Sequence, residues 1–127
     1  MSTPAKILVV DDQPLVRYTL RRLLAQQSHW EIYEAANGKA ALDRVSEIDP
    51  DVVVLDIVMP GMNGLAAAKE IHRVAPRTKI ILISSHYTTQ EAAKVAFFNG
   101  NFVPKSEIGT KLIPTINCLL PEESHPN

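Results

Sequence analysis

The chain is poor in several features at once, and each shortage excludes a class of protein. It has one cysteine, Cys118, so it carries no disulfide framework and no multi-cysteine zinc site. Its apolar runs are short: Ile7–Val10, Val52–Leu55 and Ile80–Ile83 are four residues each, far below the roughly 20 a membrane helix requires. The N-terminus does not read as a signal peptide, because Asp11 and Asp12 follow directly on the first apolar run. An excess of charge of one sign is also missing. Thirteen Lys and Arg stand against 14 Asp and Glu, a net charge of −1, which argues against direct contact with nucleic acid. No glycine-rich phosphate loop follows the first run, which argues against a nucleotide-binding enzyme. Together these absences predict a cytoplasmic chain with no membrane segment.

What is present is an ordinary globular composition, 46% hydrophobic and 21% charged over 127 residues, enough for one domain with its own core. Short β-branched runs alternate with segments of helical period. Strands are expected at Lys6–Val10, Trp30–Ala35, Val52–Leu55, Ile80–Ile83 and Asn101–Pro104, the second alternating and so less buried on one face. The first helix is expected from Pro14 to about Gln27, capped by Asp12 or Gln13, with Leu15, Tyr18, Leu20, Leu23 and Leu24 on its apolar spacing. The second starts at Asn37-Gly38 and ends at Asp49-Pro50-Asp51. The third follows the Met59–Gly64 loop and is closed by Pro76. A fourth begins at Thr88 or Thr89 and ends at Asn99-Gly100, and a last one runs to about Leu120. Non-alternating strands separated by helices are the pattern of a five-stranded parallel sheet covered on both faces, a doubly wound α/β fold.

In such folds the functional crevice lies beyond the carboxyl ends of the strands. The residues that follow strands one, three, four and five are Asp11-Asp12, Asp56, Ser84 and Lys105. Any one of them alone has an ordinary reading: a helix cap for an aspartate, a turn former for Ser84, a solvated charge for Lys105. As a set on one rim they point to chemistry. Three converging carboxylates repel one another unless a cation neutralises them. Mg²⁺ takes oxygen ligands, keeps several waters, and is held by one or two carboxylates together with phosphate oxygens. Lys105 and Ser84 then suit phosphoryl transfer, where positioning and charge neutralisation dominate. Asp56 is the candidate nucleophile, since carboxylates form aspartyl-phosphate intermediates.

Four segments carry a family resemblance: Ile7-Leu8-Val9-Val10-Asp11-Asp12-Gln13-Pro14-Leu15-Val16-Arg17; Asp51 to Gly64; Ile80-Ile81-Leu82-Ile83-Ser84-Ser85; and Phe102-Val103-Pro104-Lys105. They resemble the receiver domain of two-component response regulators, over Lys6 to Leu120. The resemblance implies a (βα)5 flavodoxin-like domain over residues 4–121 with strand order 2-1-3-4-5, and a flexible C-terminal tail over 122–127. It implies phosphorelay signalling: Asp56 accepts a phosphoryl group from a sensor histidine kinase or phosphotransfer protein, with Lys105 holding the phosphate. Asp12, Asp56 and the backbone carbonyl of Val58 would bind Mg²⁺ directly and Asp11 through water. Ser84 and Phe102 would be the paired switch residues. The domain would be a signalling module rather than an enzyme, assisting only its own aspartyl phosphorylation and dephosphorylation. Its output would be a downstream protein target or an output domain outside this chain.

The sequence also departs from the family pattern. The interval from Ser84 to Lys105 is one residue shorter than usual, which leaves Ser85 as a minor rival to Ser84. Ser106 rather than proline follows Lys105, and Pro104 precedes it. Pro114 falls where the last helix is expected to be running, so that helix starts late or bends, and a homodimer through that face stays open. Val58 and His86, two positions beyond Asp56 and Ser84, stand where receivers tune loss of the phosphoryl group. Two alternatives remain. One is a pseudo-receiver, never phosphorylated and used as a protein interaction module. The other is an aspartyl-phosphate phosphatase, which would want an acid soon after Asp56, where Ile57 and Val58 stand.

Overall fold

A computed structural model describes residues 3–61, 63–85 and 101–121. The helix expected from Thr88, together with His86, Tyr87 and the tail 122–127, lies outside the described residues. Five strands form one sheet: β1 (Ala5–Val10), β2 (Trp30–Ala35), β3 (Val52–Asp56), β4 (Lys79–Ser84) and β5 (Asn101–Pro104). All four pairings are parallel and the spatial order is 2-1-3-4-5, as the resemblance implied. The described helices are α1 (Pro14–Leu24), α2 (Gly38–Ile48), α3 (Gly64–Val74) and α4 (Ile108–Leu119). A 3₁₀ turn, Lys105–Glu107, joins β5 to α4. No described helix is long and apolar enough to cross a membrane.

The continuous apolar runs are explained by the two-sided sheet. Successive side chains of a strand point to opposite faces, so Ile7, Val9, Val52, Val54, Ile81 and Ile83 pack under α1 and α4. Leu8, Val10, Val53, Leu55, Ile80 and Leu82 pack under α2 and α3. The edge strand β2 is more exposed along its middle, with only Trp30 and Ala35 buried, which matches its alternating sequence.

The helix starts are set locally. The Asn37 side chain accepts a hydrogen bond from the Ala40 N–H and caps α2, and Asn63 accepts from the Leu65 N–H at the start of α3. Asp49 ends α2 in the left-handed conformation (φ 50°).

One expectation is narrowed and one is corrected. Gln13 occupies the cap position of α1 without any side-chain cap bond, so Asp12 is not spent on capping. Leu15 and Tyr18 are not on the buried stripe of α1: they are 75% and 56% exposed. The stripe that packs is Val16, Leu20, Leu23 and Leu24, whose intervals of four, three and one residues keep one helix face inward. Pro114 resolves the other way from a late start. α4 runs through it from Ile108, giving up the one backbone bond that a proline nitrogen cannot donate, while Leu112 and Ile116 on either side are fully buried.

Gly64 ties the fold to the strand ends. Its N–H donates to the Ile57 carbonyl at 2.8 Å, and a Cβ built there would collide with the Asp56 carbonyl oxygen and lie 2.6 Å from the Ile57 Cα. Gly64→Ala is therefore expected to destabilise the chain by roughly 3 kcal/mol in urea unfolding, the upper range for overpacking. Gly109→Ala, which meets nothing within 4 Å, is the control. It should be neutral or stabilising by up to about 1 kcal/mol.

Candidate functional site

The parallel register assembles the rim. Val10 pairs with Leu55 across β1 and β3, so the residues after them, Asp11 and Asp56, are carried side by side at the centre of the sheet. β4 ends on Ser84, which is buried and registers with Pro104 of β5. Lys105 follows immediately. Phe102, half-buried, registers with Leu82 and packs against the core under α2 and α3.

Carboxylate oxygens of Asp11, Asp12 and Asp56 all lie within 4.8 Å of one another. Asp11 and Asp56 are buried, whereas Asp12 is half-buried. Lys105 Nζ is 3.0 Å from Asp11 Oδ2 and 3.3 Å from Asp56 Oδ2. It donates a hydrogen bond to Asp56, while its contact with Asp11 is an ion pair without hydrogen-bond alignment, leaving Asp11 Oδ2 buried and without a hydrogen-bond partner. The Gln13 N–H donates to Asp11 Oδ1 at 2.9 Å, and the Val58 N–H donates to Asp56 Oδ1 at 3.3 Å. Val58 itself is 46% exposed.

The electrostatics follow from this crowding. Burial, then the neighbouring Asp11 charge, raise the Asp56 pKa from 3.8 to about 6, against the opposing pull of Lys105 and the Val58 N–H. For Lys105, burial works to lower the pKa, but Asp11 and Asp56 outweigh it and hold the ammonium above its ordinary value. An all-oxygen set in which the buried Asp11 Oδ2 has the Lys105 ion pair but no hydrogen bond fits a hard divalent cation.

Arg17 and Glu34 are part of this site and were not expected there. Arg17, in the first turn of α1, donates through Nη1 to the Asp11 carbonyl at 2.7 Å and through Nε to Glu34 Oε1 at 3.3 Å. Glu34, the penultimate residue of β2, also accepts from Arg21 Nη1 at 2.9 Å. The available signal was a glutamate near the end of a strand and an arginine one turn beyond the acidic pair.

The sequence pattern of the response regulator receiver domain matches residues 7–114, and the chain belongs to that family. It is 39% identical over 80 residues to the chemotaxis protein CheY of Thermotoga maritima, covering 63% of this chain and 67% of that protein. Against protein-glutamate methylesterase/protein-glutamine glutaminase 5 of Myxococcus xanthus it is 35% identical over 99 residues, 77% of this chain but only 28% of the relative. Among solved structures, response regulator TrrA of Thermotoga maritima in complex with Mg²⁺-BeF superposes with a TM-score of 0.77 at 38% identity, covering 91% of this chain and 99% of that one.

The raised Asp56 pKa makes the metal-free fold pH-sensitive in a definite direction. The folded chain keeps Asp56 protonated up to about pH 6, whereas the unfolded chain releases that proton near 3.8. This contribution to stability is therefore full below about pH 4 and is lost as pH rises through about 6. Asp56→Asn should exceed the wild type at about pH 7.5 in metal-free buffer by roughly 2–3 kcal/mol, at about 1.4 kcal/mol per pKa unit, and the gap should close near pH 4. Urea unfolding at both pH values checks this. Equal stabilities at the higher pH would contradict the crowding argument.

Proposed function

We propose that this receiver is a Mg²⁺-dependent phosphoacceptor in which Asp56 takes a phosphoryl group from a sensor histidine kinase or phosphotransfer protein. The observation that carries the reading is the placement of the Asp56 carboxylate on the rim between two further acids and the ammonium of Lys105. The Mg²⁺-BeF bound to the related TrrA supports the same choice of metal here.

Asp11, Asp12, Asp56 and the Val58 carbonyl would hold the ion, Asp11 through water. Bound Mg²⁺ would neutralise charge on the phosphoryl oxygens. The protein's own residues supply the rest. A carboxylate oxygen of Asp56 attacks phosphorus; the phosphorus–nitrogen bond to the donor imidazole breaks, and the imidazole takes up a proton. With its pKa near 6, Asp56 is mostly ionised at neutral pH and available as the nucleophile. Lys105 turns from carboxylate to phosphoryl oxygen as an ion-pair partner. The Ser84 hydroxyl donates to the phosphoryl group, and the half-buried Phe102 shifts with it, so that added charge at Asp56 changes the rim that partners read. The output would be a separate protein or a domain outside this chain, and a cytoplasmic location belongs to the same proposal.

The pseudo-receiver alternative has no observation in its favour, since Asp11, Asp12, Asp56 and Lys105 keep the charge arrangement that phosphorylation needs. Incubation with Mg²⁺ and acetyl phosphate is expected to add 80 Da to the wild type by mass spectrometry, with acetate leaving, at about the mass of one phosphoryl group. The adduct should vanish in Asp56→Asn. A wild type that gains no adduct would overturn the proposal.

A further inference from the structure

We propose that Arg17 is a positioning residue for the metal-binding turn: it fixes the Asp11–Asp12 peptide through the Asp11 carbonyl, and Glu34 holds its guanidinium in place. The inference rests on the reading of the acidic cluster as a Mg²⁺ site. The carbonyl that Arg17 grips at 2.7 Å belongs to the peptide joining the two acids, so its orientation sets how the two carboxylates stand to each other. Asp11 is also held through its N–H, which donates to the Ala35 carbonyl at 3.3 Å, and through Oδ1, which accepts from Gln13. Arg17 closes the third side. Its own position is doubly determined: its backbone N–H bonds to the Gln13 carbonyl at 3.1 Å, and its side chain lies against Glu34, itself shared with Arg21.

A guanidinium suits this task and an ammonium does not. Its rigid fork serves a carbonyl from one edge and a carboxylate from another, while a lysine presents a single point charge. Arg17 is 18% exposed, so the contact is partly withdrawn from competition with water. Coulomb's law alone predicts the opposite of positioning, because deleting a cation near an acidic cluster favours a bound divalent cation. The sign of the effect therefore separates the two.

The test is calorimetric titration of MgCl₂ into the wild type, Arg17→Met and Arg17→Lys at one ionic strength, with thermal unfolding of each in metal-free buffer. Positioning predicts a dissociation constant about tenfold higher for Arg17→Met, in the range seen when groups behind metal ligands are removed. Arg17→Lys, which keeps the charge and loses the fork, should also bind several-fold more weakly. It decides the matter alone if Arg17→Met fails to fold. Unchanged affinity in folded variants, lowered melting temperature or not, would show a purely structural role and overturn the inference. Tighter binding by Arg17→Met with Arg17→Lys at the wild-type value would overturn it in favour of simple charge repulsion. A wild type that does not bind Mg²⁺ would overturn the reading of the site, and this inference with it.

Discussion

The convergence of Asp11 and Asp56 on Lys105 is the interaction around which this structure is arranged. Two buried carboxylates a few ångströms apart are an unfavourable pair in a low-dielectric setting. One ammonium answers both, at 3.0 and 3.3 Å. The sheet order makes this possible. With β1 next to β3 at the centre, their terminal acids are neighbours, and the sequence β3-β4-β5 brings Ser84 and Lys105 to the same edge. A different order would scatter the same four residues around the rim.

The rim is a place where the fold holds buried charges that an apolar core would not. The central strands β1, β3 and β4 are almost fully apolar and buried on both faces, and little else among the described residues interrupts that core. Asp56 keeps a raised pKa because the fold withdraws it from water, and Asp11 Oδ2 stays without a hydrogen bond. Unsatisfied and crowded groups of this kind persist where a ligand completes them.

The elements were readable in the sequence because their signals are local, whereas the strand order came from the family resemblance. The four-residue apolar runs, Asn37-Gly38 before a helix start, and the Asp49-Pro50 stop each specify one element by themselves. The rim acids and Lys105 were readable because each directly follows a strand run or, for Asp56, ends one. What escaped depended on tertiary direction. Leu15 and Tyr18 share apolar character with Leu20 and Leu24 but point outward, a matter of helix rotation against the sheet that spacing in a short helix leaves ambiguous. Arg17 and Glu34 meet only because β2 lies beside β1 under the start of α1, so neither residue carries a sign of the other in its neighbourhood along the chain. At Pro114 the sequence left a late start or a bend open, and the helix begins at Ile108 and runs through the proline between the buried Leu112 and Ile116.

The missing side chain at Gly64 has a mechanical meaning for the rim. With the α3 backbone seated directly on the Asp56 carbonyl and Ile57, the side of the crevice toward α3 has no slack, and Asp56 cannot recoil into it. The opposite side is built from a four-residue edge strand and a single 3₁₀ turn that carries Lys105. The two sides of Asp56 thus differ in kind: on one a helix backbone lies in direct contact with its carbonyl, and on the other stand the short strand and turn that carry Lys105.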